Sequence, residues 1–416
     1  MKKYSVRCLD CGTECDCYAI ACMNDGALLR TEYSSVQLIP RDFPGIWKFY
    51  EWLPTQGILP ELGGGSITYK CGSFAAELGL DKLYIAFNGY WPDRKALLST
   101  CSFKDLEAAP TVQRLAEQRM KNILVVASAG NTARAFAHAC SVSGQPLVIV
   151  VPASALNKIW LPGDDVSHDA VFTISVKGDY SDAIALGDEL ACYSGFVAEG
   201  GARNVARRDG MGTVMLEATL TLKQIPDYYF QAVGSGTGGI SAWEASMRLI
   251  KDGRFGRKMP VLNLAQNLPC APIFSSLHGV AIDPRCPEGM YDEVLFNRRP
   301  PLSVKGGVAD ALTATAGTVQ GVTNDEAEEA RKLFEKTEGI DIVPAAAVAV
   351  SALMKSVTSG SVNARDIVLL NITGGGEKRL RKDVGVTPLQ SDLSVERFGV
   401  DLDSTVSIIV DTLRKG

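Results

Sequence analysis

From about residue 60 onward the sequence alternates short, almost wholly apolar runs with helical stretches, and few architectures accommodate that pattern. Lys82–Phe87, Asn122–Ala127, Leu147–Val151, Val171–Val176, Tyr228–Val233 and Asp366–Asn371 each read as a strand. Their apolar residues do not alternate with polar ones, so both faces of each strand must be buried. Helical segments such as Asn131–Cys140 separate them, which predicts mostly parallel sheets flanked by helices. The class is α/β, and 416 residues suffice for two such domains plus a small appendage.

With 46% apolar and 21% charged residues, the chain is not disordered. A net charge of −5 argues against a general nucleic-acid surface, while leaving room for a basic pocket around an anionic substrate. The longest apolar run, Val343–Met354, is too short to span a bilayer and predicts a buried helix. Met1–Tyr4 leads into polar, Cys-rich sequence and not a secretory leader. The expected location is therefore the cytoplasm, with no membrane partner and with the eleven cysteines reduced.

Five of those cysteines (Cys8, Cys11, Cys15, Cys17, Cys22) fall in a ribbon-like segment, residues 1–35. Cys8-Leu-Asp-Cys11-Gly is a knuckle that can present two thiolates to one zinc ion. Cys22-Met-Asn-Asp25-Gly stands where a second knuckle belongs, with an aspartate in the fourth position. Cys8, Cys11, Cys22 and Asp25 are thus candidate zinc ligands, with Cys15 or Cys17 as substitutes. The alternative is a ribbon without metal that keeps its cysteines as small apolar residues.

Four segments can carry chemistry. Lys104, in Thr100-Cys-Ser-Phe-Lys-Asp105, sits among small and apolar residues at a helix start, where burial favours the neutral, nucleophilic amine. Taken alone the signal is weak, because most lysines are solvated surface residues. Ser128-Ala-Gly-Asn131-Thr132 joins a strand to a helix, whose free N–H groups either bind an anion or are capped by Ser128 or Asn131. Gly234-Ser235-Gly236-Thr237-Gly238-Gly239 does the same after Tyr228–Val233 and reads as a phosphate cradle, the alternative being a tight strand–helix turn; it matches neither a Walker loop nor a dinucleotide fingerprint. Thr373-Gly-Gly-Gly376 places one hydroxyl and three glycines at the end of the last strand, enough to accommodate a heterocycle or simply to turn. His138, His168 and His278 show no metal or nucleophile spacing.

In that order and spacing the four segments resemble the fold type II (tryptophan-synthase-β-like) enzymes that depend on pyridoxal 5′-phosphate, PLP. Along essentially the whole chain the resemblance is closest to threonine synthase. It implies that Lys104 holds PLP as a Schiff base and shuttles the substrate's Cα proton. It further implies that Asn131, the Gly234–Gly239 loop and Thr373 contact the cofactor's phenolate, phosphate and ring nitrogen. Thr100, Ser128, Thr132, Asn204 and Arg207 fall on the substrate side, with Arg208 as a further candidate.

The resemblance also implies a division into a large PLP-binding domain, residues 36–97 and 206–416, and a smaller mobile domain, residues 98–205, carrying Lys104 and Asn131. A homo-oligomer is expected. Leu106 stands where the family's S-F-K-D-R-G has arginine, Gly212 where G-Q-K-T has lysine, and Cys101 where it has glycine. Asn88-Gly-Tyr-Trp-Pro92 precedes the lysine without a counterpart in threonine synthase. These departures resemble a paralogue from methanogenic archaea. That likeness implies β-replacement of the phosphate of O-phospho-L-serine by sulfite, on the route to coenzyme M. Threonine synthesis from O-phosphohomoserine, cysteine-synthase-like sulfhydrylation and a non-catalytic PLP-binding protein are the alternatives.

Overall fold

The structure, a computed structural model, describes residues 2–118, 122–164, 166–280, 289–396 and 398–414. Two sheets organise it. The larger has six strands in the order Thr318–Val322, Val261–Asn267, Tyr228–Ala232, Val368–Ile372, Leu83–Phe87 and Ile67–Lys70. Every pairing is parallel except the last, where Ile67–Lys70 runs antiparallel to Leu83–Phe87 along the edge. The smaller sheet has five parallel strands, Phe196–Ala198, Ile123–Ala127, Leu147–Pro152, Val171–Lys177 and Leu393–Glu396.

The central strands Val368–Ile372 and Leu147–Pro152 are buried at every position, because helices cover both faces. The apolar run around Val343–Met354 forms the buried helix Pro344–Thr358. It opens on Pro344, whose missing N–H is harmless in a first turn.

The expected division differs from the structure at the C-terminus. Residues 206–416 do not all belong with the larger sheet, since Leu393–Glu396 extends the smaller one, pairing Ile174 with Leu393 through Lys177 with Glu396. The helix Leu402–Leu413 packs behind it, with Ile409 buried in the same cluster as Ile174 and Phe172. This segment is half exposed at an edge, so it lacks the continuous apolar run that marks the inner strands.

The N-terminal segment is a three-stranded antiparallel sheet in the order Glu14–Cys15, Tyr4–Cys8, Leu29–Tyr33. It packs on Val205, the first residue of the helix Val205–Leu222.

Candidate active site

In parallel α/β sheets the loops beyond the C-terminal strand ends form the natural crevice, and here loops from both sheets meet in one cavity of about 220 Å³. The smaller sheet contributes Ser128–Thr132 after Ile123–Ala127, and Glu199, Gly201 and Ala202 after Phe196–Ala198. The larger contributes Gly234–Gly238 after Tyr228–Ala232, and Thr373 after Val368–Ile372. Lys104 enters between them.

Two backbone links tie Lys104 to the larger sheet. The Phe103 amide donates to the Thr373 carbonyl at 2.9 Å, and Ser102 bridges Gly374. Lys104 then stands at the N-cap position of the helix Asp105–Ala116, with its side chain making no capping bond. Thr100 donates to Asp105 from both its amide (2.9 Å) and its hydroxyl, which tightens the turn before the lysine. Burial holds the Asp105 carboxyl up at about 6 despite those bonds.

The Lys104 side chain is 21% exposed, and Nζ lies 3.2 Å from Glu107 Oε2. Burial lowers its pKa, and the Glu107 carboxylate partly opposes that shift. Glu107 is fully buried and also receives Arg207 Nη2 at 2.7 Å. Arg207 Nη1 meets Glu199. Lys104, Glu107, Arg207 and Glu199 thus form one alternating chain of charge, in which Lys104, Arg207 and Glu199 line the cavity and Glu107 lies buried behind them. Burial would raise the Glu107 pKa, but Arg207 and then Lys104 pull it below the usual carboxylate range.

The anion sites fit a phosphorylated cofactor. The N-cap of the helix Thr237–Asp252 is Gly236, which has no side chain to offer, and the Thr237 amide makes only a long bond of 3.4 Å to Ser235 Oγ, so this helix start suits an anion. Gly236 takes φ +81°, and Ser235 Oγ lies 2.7 Å from Thr237 Oγ1 at the mouth of that loop. Asn131 Oδ1 accepts from Arg134 Nη2 at 3.0 Å, which orients the side chain and leaves its amide N–H groups to a ligand. Beneath the site, Gln231 Oε1 accepts from Tyr229 (2.6 Å) and Asn371 (3.1 Å), while Asn88 donates to Asn371 at 2.7 Å. This buried polar network gives the segment beginning at Asn88 a structural role: it packs against the glycines after Thr373, with the Tyr90 amide on the Gly375 carbonyl.

Of the residues expected from sequence, Lys104, Ser128, Asn131, Thr132, Arg207, Gly234, Ser235, Gly236, Thr237, Gly238 and Thr373 line the cavity. Thr100, Asn204 and Gly239 do not. Thr100 is spent on Asp105, and Gly239 packs on Leu264. Asn204 caps the helix Val205–Leu222 through the Ala206 amide (2.9 Å) and donates to the Glu199 carbonyl (2.8 Å). Arg208 turns away to Glu244 at 3.0 Å. Glu107, Glu199, Gln231, Tyr180 and the segment Glu293–Asn297 escaped the sequence reading; Glu107 lies only three residues past Lys104 on its helix.

A lysine, an uncapped helix behind a glycine loop and a ring-sized space between two α/β sheets define a class, and the chain belongs to it: the model of the pyridoxal-phosphate dependent enzyme family matches residues 74–374. Along its whole length the chain is 54% identical to the cysteate synthase of Methanococcoides burtonii, the match covering 100% of both chains. It is 53% identical to that of Methanothrix thermoacetophila over 95% of this chain and 96% of the relative. Among solved structures, maize serine racemase superposes with a TM-score of 0.56 at 15% identity, covering 84% of this chain and 93% of that one. A threonine deaminase from Solanum lycopersicum gives 0.55 at 18% identity, covering 76% and 86%. These two support the fold.

The glycine loop supplies a first test. A Cβ at Gly236 would lie 2.4 Å from Val308 Cγ2, on a backbone that L side chains rarely adopt. Gly236→Ala is expected to raise the PLP dissociation constant at least about tenfold, read by titrating the apoenzyme and following visible absorbance.

Proposed function

We propose that this chain makes L-cysteate and phosphate from O-phospho-L-serine and sulfite, on the route to coenzyme M. The observation that carries the reading is full-length likeness to cysteate synthases, together with a cavity in which Lys104 and the Gly234–Gly238 loop converge. Lys104, Asn131, the Gly234–Gly238 backbone with Ser235 and Thr237, and Thr373 would hold PLP. When bound, it supplies an electron sink for charge developing at the substrate's Cα.

The chain's own residues do the rest. Lys104 Nζ, whose pKa burial lowers, takes the Cα proton and returns it at the end of the cycle. The Ser128–Thr132 turn, opening a helix that no side chain caps, binds the substrate carboxylate. Arg207, held by Glu107 through Nη2 and by Glu199 through Nη1, offers its guanidinium to the departing phosphate or incoming sulfite by giving up the Glu199 contact. At Cβ the C–O bond breaks, phosphate leaving with the electron pair. Sulfite brings the pair for the new C–S bond. The Thr373 hydroxyl is neutral and does not force protonation of a ring nitrogen, which favours replacement over transamination. The smaller domain closes over the substrate, and the enzyme assembles with copies of itself.

The deciding experiment offers the purified holoenzyme phosphoserine with sulfite, phosphoserine with sulfide, and phosphohomoserine, side by side. Cysteate and equimolar phosphate are expected from the first pair at a rate at least about tenfold above the others, a gap of roughly 1.4 kcal/mol in barrier. Faster phosphate release from phosphohomoserine would make the chain a threonine synthase, and faster turnover with sulfide a sulfhydrylase.

A further inference from the structure

We infer that Cys8, Cys11, Cys22 and Asp25 form a closed structural site for one zinc ion, which staples the N-terminal ribbon to the wall of the cavity. The four side chains offer ligand atoms that all lie within 4.8 Å of one another. Cys8 Sγ is 3.3 Å from both carboxylate oxygens of Asp25, and Cys11 Sγ is 3.6 Å from Cys22 Sγ. A tetrahedral zinc ion with bonds of about 2.0–2.3 Å sets its sulfur and oxygen ligands roughly 3.5–3.8 Å apart. The cluster is therefore already close to the required size.

The two halves share one backbone design. In the first, the Asp10 amide donates to Cys8 Sγ at 3.4 Å; in the second, the Asn24 amide donates to Cys22 Sγ at 3.4 Å. Each turn ends on a left-handed glycine, Gly12 at φ 72° and Gly26 at φ 71°. Asp25 therefore occupies in the second knuckle the place that Cys11 occupies in the first. Its carboxylate is held there by the Ala27 amide at 2.9 Å and the Cys11 amide at 3.3 Å. Amides pointing at sulfur are what a thiolate needs, because binding the cation expels the thiol protons to solvent.

Packing says what the metal is for. The ribbon's own core consists of Tyr4, Val6, Cys8, Cys22, Ala27 and Leu29 closed around Val205. So small a core rarely holds without a staple. Across the boundary Arg203 Nη1 donates to the Gly26 carbonyl at 3.0 Å, and Arg208 reaches the Leu29 and Ala202 carbonyls. The second knuckle thus grips the residues 199–203 that place Glu199 and Ala202 in the cavity. Three thiolates and a carboxylate leave no open position, so the ion supports structure and takes no part in the reaction.

The test is elemental analysis of the natively purified holoenzyme. About one equivalent of zinc per chain is expected, with X-ray absorption showing three sulfur neighbours at about 2.3 Å and one oxygen. Cys11→Ser and Cys22→Ser should each lower zinc below about a tenth of an equivalent, whereas Cys15→Ser and Cys17→Ser keep it. Should the first pair fail to fold, displacing the metal from the unmodified enzyme with a mercurial and a chromogenic chelator still counts it. Hydrogen exchange at residues 199–203 should then quicken. Protein that holds no zinc as isolated or after titration with zinc chloride overturns the site. So does a coordination shell of four sulfurs, and unchanged exchange overturns the staple.

Discussion

Lys104→Ala is expected to abolish the visible absorbance of the PLP-loaded protein and to lower the rate of product formation at least about 10³-fold. Both losses have one origin. Lys104 is the lysine of the cavity wall whose backbone is pinned to Thr373 and whose Nζ is desolvated without being isolated, since Glu107 stands 3.2 Å away. Cofactor can still bind through the Gly234–Gly238 loop, so Lys104→Ala should retain phosphate-dependent affinity while losing the covalent attachment. Spectra and turnover, measured on one preparation, check this. A visible band that survives the substitution would remove Lys104 from the role of anchor.

Glu107 carries the second large effect. It is buried, with Lys104 on one carboxylate oxygen and Arg207 on the other. Glu107→Ala leaves Arg207 buried with Glu199 as its remaining carboxylate partner, and breaking such a pair typically costs about 3–5 kcal/mol. Denaturant unfolding should show that loss at neutral pH. The Glu107 pKa is depressed in the folded protein, so its contribution is fully present above the unfolded carboxylate value of about 4.3 and fades as pH falls through the lower, folded value. The deficit of the variant should accordingly shrink in acid.

Glu107→Gln separates charge from packing. The amide keeps the volume and one acceptor for Arg207 but removes the anion that raises the Lys104 pKa. The neutral amine then persists to lower pH, and the acidic limb of the kcat profile should move downward in pH. A merely structural role for Glu107 would leave that limb in place.

The segments proposed to hold the cofactor are legible because their chemistry is local. A phosphate cradle needs glycines and hydroxyls within one strand–helix turn, and Tyr228–Gly239 supplies them in sequence order. Glu107 and Arg207 meet although 100 residues separate them, a contact that no short motif encodes. Thr100 and Asn204 were assigned to substrate by family position, which does not reveal whether a polar side chain is already committed to its own backbone. Both turn out to be committed, one to Asp105 and the other to a helix cap. Most inner strands are legible as continuous apolar runs, but Val261–Asn267, although inner and buried, is broken by Asn263 and Gln266 and is missed. Leu393–Glu396 is missed as well, because an edge strand alternates half-buried with exposed positions and reads like a loop.

That edge strand also sets an order of events during synthesis. Val171–Lys177 is complete long before its neighbour Leu393–Glu396 leaves the ribosome, and until then its outer edge presents unpaired amides and carbonyls. The smaller domain waits for the larger to be translated before its sheet is finished. Such a long-range closure slows folding and prolongs exposure to aggregation. A nascent chain stalled after residue 390 would therefore be a substrate for chaperones, although every group proposed to touch the cofactor has already been synthesised.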